Sequence, residues 1–296
     1  MPFLGELSAL LTAMLWSGSA MIFAAATKRV GSFQVNITRL ILAVIYLTLL
    51  IIILKLDVNL SSRQIINLSI SGIIGLTFGD TFLFKAFQEI GARISMLIMS
   101  LAPTIAALLA YFVLGETLSV VGILGITITI FGVSIVVLER GDNTSESIVV
   151  TTSGIIYAVF GAVGQGVGLI FAKMAFIESE VNGFVASDIR IISSLVLLLP
   201  FAMMTNRYKN PIQMFIENRK AFNLTALGSI FGPFLGISFS LIAVAHTNVG
   251  VAATIMATVP ILMLPLVRIV YKEKLSWRAI IGAFIAVFGV AVLFLR

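Results

Sequence analysis

The segment Gly75-Leu-Thr-Phe-Gly79-Asp-Thr-Phe82 recurs later in the chain as Gly232-Pro-Phe-Leu-Gly236-Ile-Ser-Phe239, at an offset of 157 residues. Both glycines and the final phenylalanine keep their places. The same offset, without a gap, also pairs Met99 with Met256, Pro103 with Pro260, Glu116 with Glu273, Gly125 with Gly282 and Gly132 with Gly289. This pattern indicates an internal duplication. Two copies of one unit favour a two-fold arrangement around a central site.

The composition predicts a membrane-embedded chain. Of the 296 residues, 59% are hydrophobic and 11% are charged, and the mean hydropathy is +1.14. A helix of about 20 apolar residues spans the hydrocarbon core of a bilayer and satisfies its own backbone hydrogen bonds. Ten such stretches are present, at residues 3–25, 32–54, 66–87, 92–113, 118–138, 149–172, 182–204, 223–245, 249–270 and 276–295.

The polar segments predict how the chain is divided. The segment 139–147 has few apolar residues and separates a first repeat, 1–140, from a second, 149–296. Within the polar connection 206–223, residues 211–216 could form a short interfacial helix. The first six residues lack the basic region of a signal peptide, so we expect the first span to be retained.

Several kinds of chemistry are missing from the sequence. There is no Cys and only one His, His246, so thiolate catalysis and a His-Glu-x-x-His metal site are excluded. No Gly-x4-Gly-Lys-Ser/Thr loop for a nucleotide and no Gly-x-Ser-x-Gly elbow for a nucleophile is present. The net charge of +6 comes from loops and favours lipid headgroups over nucleic acid as a partner. We expect no cofactor and no metal.

The order of the motifs resembles the EamA repeat of the drug/metabolite transporter superfamily. The residues that carry the resemblance are Gly75-x3-Gly79, Lys85-Ala-Phe87, Gly91-Ala-Arg93, Leu101-Ala-Pro103, Leu114-Gly-Glu116 and Gly125 through Gly132, matched in the second copy by Ala243, Thr258-Val-Pro260, Lys272-Glu273 and Gly282 through Gly289. The resemblance implies an all-α integral membrane protein with ten transmembrane helices in two inverted five-helix repeats.

The distribution of basic residues disagrees with the orientation that this resemblance implies. Members of such a family usually have both termini in the cytoplasm. Lys and Arg concentrate in cytoplasmic loops, and here they are most frequent after the first, third, seventh and ninth spans. That distribution puts both termini outside the cytoplasm, so the sequence leaves the orientation open.

Charged residues inside the predicted spans are the strongest signal of a site. An ionisable group at the centre of a bilayer costs at least about 2.5–3.5 kcal/mol and usually faces the protein interior. Asp80 is too deep in its span to reach water, so we predict a substrate or proton-coupling carboxylate, or else a buried pair with Lys85 or another cation. Arg39 and Arg190 occupy corresponding places in the two halves. They could bind an anionic substrate group, or extend to the interface.

Polar and soft side chains complete the predicted lining. Trp16 on the first span and Asn36 on the second could orient a ligand by hydrogen bonds. Near the start of each repeat the offset is 149, which pairs Gly5 with Gly154 and Trp16 with Gln165 on the sixth span. Each could equally form a hydrogen bond between helices. The remaining predicted wall residues are Phe84, Met99 and Met256.

Prolines within the apolar spans indicate bends. Pro103 and Pro260 fall near the middle of the fourth and ninth spans, and Pro233 falls between Gly232 and Gly236. A proline inside a helix removes a backbone hydrogen bond and bends the helix. We predict hinges at these positions, with static bends as the alternative. The small-residue pairs Gly75-x3-Gly79 and Gly164-x3-Gly168 predict close helix packing.

Together these patterns predict a multi-pass secondary transporter of the cytoplasmic membrane, monomeric or homodimeric. It would move small metabolites, such as amino acids or drug-like compounds, by alternating access, as an exporter and with possible proton or ion coupling. One alternative is a lipid-carrier flippase or a membrane-embedded enzyme that acts on a lipid headgroup. Another is a passive channel.

Overall fold

A computed structural model of the chain describes residues 3–114, 119–138, 150–247, 249–270, 272 and 275–294. Within these ranges all regular secondary structure is helical. The predicted linker 139–147 lies outside the described residues, as do Glu116 and Glu273 of the repeat.

The helices follow the predicted spans closely. The first half contains α1 (Leu4–Val30), α2 (Ser32–Leu54), α3 (Ser62–Gly72), α4 (Asp80–Met99), α5 (Ala102–Leu114) and α6 (Val120–Val137). The second half contains α7 (Thr152–Glu178), α8 (Gly183–Met204), α9 (Pro211–Glu217), α10 (Arg219–Ser229), α11 (Ile237–His246), α12 (Val249–Met256), α13 (Val259–Val270) and α14 (Trp277–Phe294). Side chains of Ser61, Thr151 and Asn182 cap the starts of α3, α7 and α8.

Two π-helical segments occupy equivalent places in the two halves. Ile73–Gly79 joins α3 to α4, and Ile230–Gly236 joins α10 to α11, at the offset of 157 found in the sequence. The amide of Asp80 donates to the carbonyl of Gly75, and the amide of Ile237 donates to that of Gly232. The sequence did not predict these π-helical turns, which are wider than those of an α-helix. Such π-helical turns occur frequently at functional sites.

The three prolines predicted as hinges lie near helix starts or inside a π-helical turn. Ser100 and Leu101 form a turn between α4 and α5, and residues 257–258 form the equivalent turn between α12 and α13. Pro103 and Pro260 are therefore the second residues of α5 and α13, where a missing N–H costs no intrahelical hydrogen bond. Pro233 lies within the second π-helical segment. The spans predicted as bent are in fact broken into two helices just before their prolines.

Eight helices of the described residues are long and apolar enough to cross a membrane. One of them, residues 62–99, contains 38 residues and would extend about 57 Å as a continuous helix, far beyond the roughly 30 Å hydrocarbon core. Gly91 interrupts it with φ 74° and ψ 170°, a backbone conformation that favours glycine. The apolar segment 277–293 is shorter than these eight.

The surface is apolar and many interior side chains are polar. Ile53, Phe131 and Val196 are each at least 60% exposed, whereas Thr12, Ser17 and Thr129 are fully buried. Many of the buried hydroxyl groups donate to carbonyl groups of the preceding helical turn, for example Thr12 to Ser8 at 2.8 Å. This distribution suits a chain whose outer surface contacts lipid, because lipid requires no polar surface.

Each half packs its first helix against the other half. Helix α7 contacts α3, α4 and α5, and α1 contacts α10, α11, α12 and α13. The predicted glycine pairs meet directly, since Gly164 lies against Gly79 and Gly168 against Gly75. Along this contact the residue numbers rise in α7 as they fall in the segment formed by α3 and the first π-helical turn. Helix α7 therefore runs antiparallel to α3. Helices α6 and α14 are likewise antiparallel, with Gly125 against Leu293 and Gly132 against Gly282.

Candidate functional site

A cavity of about 190 Å³ lies where the two halves meet. It is far larger than the roughly 10–15 Å³ that one water molecule requires. Its walls come from both repeats: α1, α2, the first π-helical segment, α4 and α5 face α7, α8, the second π-helical segment, α11, α12 and α13. The predicted residues that line it are Trp16, Arg39, Asp80, Phe84, Met99, Pro103, Gln165, Arg190, Met256 and Pro260.

The cavity walls follow the internal repeat. The broken spans contribute equivalent residues from opposite sides, since Met99 and Ser100 of the first half match Met256 and Ala257 of the second. A Cβ added to Gly236 would lie 2.7 Å from the indole Nε1 of Trp16, and one on Gly79 would lie 3.2 Å from the backbone nitrogen of Gln165. Trp16 and Gln165 therefore hold equivalent places, as their alignment predicted.

Arg39 and Asp80 form a buried ion pair in the wall of the cavity. The guanidinium Nη2 of Arg39 donates to Oδ2 of Asp80, and its Nε donates to Oδ1 of Asn36 at 3.0 Å. The guanidinium carbon lies 4.4 Å from the centre of the Phe84 ring, a cation–π contact. These contacts hold Arg39 in one position, and Arg39 does not extend to the interface.

Gln165 connects the second half to this ion pair. Its Nε2 donates to Oδ1 of Asp80 at 2.6 Å and to the carbonyl of Gly75 at 3.1 Å. The two carboxylate oxygens of Asp80 thus receive hydrogen bonds from different helices, α2 and α7. The carbonyl of Gly75 also accepts the amide of Asp80 at the end of the π-helical segment. Gln165 therefore ties the position of Asp80 to the packing of the two halves.

Arg190 lines the same cavity, and among the described residues it has no hydrogen-bonding partner. Only 6% of the residue is exposed, and its buried Nε forms no hydrogen bond with any described atom. Its Nη2 lies 3.4 Å from the position that a Cβ on Gly75 would take. Asp80 attracts it through space, but the described residues offer it no salt bridge. Arg190 is therefore a buried cation with unused donors.

Two predicted residues lie outside the lining. Asn36 is fully buried and supports Arg39, while its Nδ2 donates to the hydroxyl of Thr81 at 3.2 Å. Pro233 is buried within its π-helical segment. Lys85, considered as a partner for Asp80, instead faces aromatic rings, with its Nζ 4.9 Å from the centre of Tyr157.

Sequence reasoning missed most of the apolar wall. Phe23, Phe87 and Met96 line the cavity. The polar residues Ser19, Ser100 and Ser240 also belong to the lining. Phe87 follows Phe84 by nearly one helical turn, and their rings are 5.4 Å apart, so that spacing could have identified the aromatic face. No group of three or more potential metal ligands occurs among the described residues.

Replacing Gln165 with Leu tests the link between Asp80 and the second half. The variant leaves Oδ1 of Asp80 and the carbonyl of Gly75 without the amide donor, and an unsatisfied buried polar group costs about 1–3 kcal/mol. We expect a lower melting temperature in detergent and reduced transport. Leu169→Met changes the cavity wall one turn away without removing a hydrogen bond and should have a small effect. Equal melting temperatures for the two variants would contradict this role of Gln165.

Comparisons with known proteins agree with the architecture. The model of the EamA-like transporter family matches residues 3–138 and again residues 152–295. An "Uncharacterized transporter" of Archaeoglobus fulgidus is 21% identical over 289 residues, which cover 98% of this chain and 97% of that protein. The "Uncharacterized transporter YxxF" of Bacillus subtilis is 28% identical over 142 residues, 48% of this chain and 43% of that protein.

A solved crystal structure of a protein has the same fold, with a TM-score of 0.70 at 20% identity, over 98% of this chain and 96% of the other. The two family matches together span nearly the whole chain and fall on either side of the polar segment predicted as a linker. The many apolar helices make the protein a multi-pass membrane protein. The chain belongs to the EamA-like transporter family, within the drug/metabolite transporter superfamily.

Proposed function

We propose that this protein is a secondary transporter that carries small metabolites across the cytoplasmic membrane by alternating access, as an exporter. The observation that carries the proposal is the cavity between two related halves, walled by equivalent residues of both. A site between repeats can open to either side when the repeats rock against each other. The names of the relatives favour transport over catalysis.

The proposal includes ten membrane crossings in two inverted repeats, at residues 1–140 and 149–296. Three features of the packing support it. Helix α7 is antiparallel to α3, α14 is antiparallel to α6, and the break at Gly91 divides a helix too long for one crossing. Five crossings in each half would place equivalent helices in opposite directions, and the antiparallel pairing of the equivalent helices α6 and α14 supports this arrangement.

Movement between states needs segments that can bend. The proposed hinges are the turns before Pro103 and Pro260 and the π-helical segment that contains Pro233. Both turns interrupt the helices and adjoin the cavity. The cycle would use a proton or ion gradient or the exchange of substrates, in a monomer or a homodimer.

A counterflow assay tests the carrier mechanism. Compounds that raise the melting temperature of the purified protein in a metabolite screen are first selected, since a ligand of the folded state stabilises it. Each is then labelled and supplied outside proteoliposomes loaded with the unlabelled compound. A carrier shows faster uptake into loaded than into empty vesicles. Equal uptake by both would indicate a channel, and a chemically altered compound would indicate an enzyme.

A further inference from the structure

We propose that the cavity selects small monocarboxylates with an apolar body, and that Arg190 binds the carboxylate. This inference rests on the proposed transport function and narrows its class of metabolites. The unpaired guanidinium of Arg190 inside a mostly apolar cavity is the feature that carries it.

The charges of the cavity wall do not balance. Among its described lining residues the charged side chains are Arg39, Asp80 and Arg190. Asp80 neutralises Arg39 through the ion pair, and Gln165 occupies its other oxygen. Arg190 therefore contributes one uncompensated positive charge. Asp188 does not supply the missing partner, because it lies two residues away on α8, points in another direction and forms no salt bridge with Arg190 among the described residues; its Oδ2 accepts from Thr48 of α2 at 3.5 Å.

A buried charge without a partner is costly, so a residue of this kind in a membrane span points to a bound ligand. The planar fork of a guanidinium matches the two oxygens of a carboxylate or a phosphate. A phosphate monoester carries a charge of about −1.5 to −2 at neutral pH, more than one cation balances. A carboxylate carries one negative charge and so balances the one uncompensated positive charge of Arg190.

The rest of the cavity matches an apolar body. Phe23, Phe84, Phe87, Met96, Met99 and Met256 provide aromatic and thioether surface. The hydroxyl groups of Ser100 and Ser240 already donate to the carbonyls of Leu97 and Ile237. The lining carboxylate, Asp80, is engaged by Arg39 and Gln165, so a substrate ammonium group would find no free counter-charge on the described wall. The site therefore favours simple carboxylates over zwitterionic amino acids.

The first test is the stability of the empty protein. If Arg190 is unpaired, Arg190→Gln removes an uncompensated charge and should leave the melting temperature unchanged or raise it. Arg39→Gln is the matched control, because it leaves Asp80 without its cation and should lower the melting temperature. A similar fall for both variants would show that Arg190 has a structural role and would overturn the proposal.

The second test measures binding with matched probes. Thermal shift of the purified protein compares four polar groups on each of three apolar bodies, phenylethyl, isobutyl and indolylmethyl. Each body is tested as the carboxylate, as the primary amide, as the phosphate monoester and as the corresponding amino acid. We expect stabilisation by carboxylates above all. Arg190→Gln should weaken carboxylate binding by about tenfold or more, and Arg190→Lys by less.

The outcomes separate this inference from the transport proposal. Binding of amides or amino acids in preference to carboxylates, no carboxylate binding, or carboxylate binding that survives Arg190→Gln would overturn the role of Arg190, even if counterflow of another compound shows a carrier. Carboxylate binding that depends on Arg190, with no counterflow in proteoliposomes, would support the site and contradict the carrier mechanism.

Discussion

Asp80→Asn should abolish most transport and destabilise the protein. The substitution removes the negative charge that pairs with Arg39 inside the membrane-spanning region. Removing one member of a buried ion pair costs about 3–5 kcal/mol, because the other charge is left buried and unpaired. The cavity would then carry two uncompensated guanidinium groups. We expect a clear fall in the melting temperature and at least a tenfold loss of counterflow.

Two further variants make the effect of Asp80→Asn specific. Asp57→Asn changes an exposed loop carboxylate and should alter stability by no more than about 0.5 kcal/mol. The double variant Arg39→Gln with Asp80→Asn removes both charges, so it should be less destabilised than the sum of the two single variants. Additive losses in melting temperature, or full transport by Asp80→Asn, would show that the pair has no such role.

Gly164→Ala should separate the two halves where α7 packs against the first π-helical segment. A methyl group at this position would lie 2.6 Å from the Cα of Gly79 and 2.8 Å from its backbone nitrogen. Backbone atoms cannot rotate away, so helix α7 must move relative to the π-helical segment. We expect a loss of about 2–3 kcal/mol in the free energy of unfolding, together with impaired transport, because Gln165 would move with α7.

Gly18→Ala is the matched control for this glycine. It makes the same chemical change within a long helix, α1, but no atom outside its own helical turn lies within 4 Å of the added methyl group. Alanine also favours helix more than glycine does. The melting temperature should stay the same or rise. Equal destabilisation by Gly18→Ala and Gly164→Ala would show that the close contact between halves is not the cause.

The main features of the fold could be predicted because they follow from local composition. Apolar stretches set the helix positions, and the bounds of α2, predicted at 32–54, agree with the structure. The glycine pairs were also correctly assigned to helix packing. The π-helical segments could not be predicted, since residues such as Ile73–Gly79 also fit an α-helix. In the first segment the side chain of Gln165 donates to the carbonyl of Gly75, a contact between distant parts of the chain that the sequence does not show.

The residues of the cavity could be predicted better than their contacts. Intramembrane charge identified Arg39, Asp80 and Arg190, and the structure places all three at the cavity. The sequence did not show that Asp80 pairs with Arg39 and leaves Arg190 without a salt bridge to any described residue, because helices α2, α4 and α8 meet only after their rotations and depths are set by packing. For the same reason Asn36 was expected in the lining, but it lies outside the lining and accepts a hydrogen bond from Nε of Arg39.

The most direct test of the proposed mechanism is whether the central cavity opens to both sides of the membrane. The chain has no cysteine, so a single Ser240→Cys variant places one thiol in the cavity wall. In proteoliposomes of known orientation, an impermeant anionic thiol reagent should label it from either side, whereas Ser95→Cys, fully buried and outside the lining, should stay unlabelled. Labelling of Ser240→Cys from one side only would contradict alternating access.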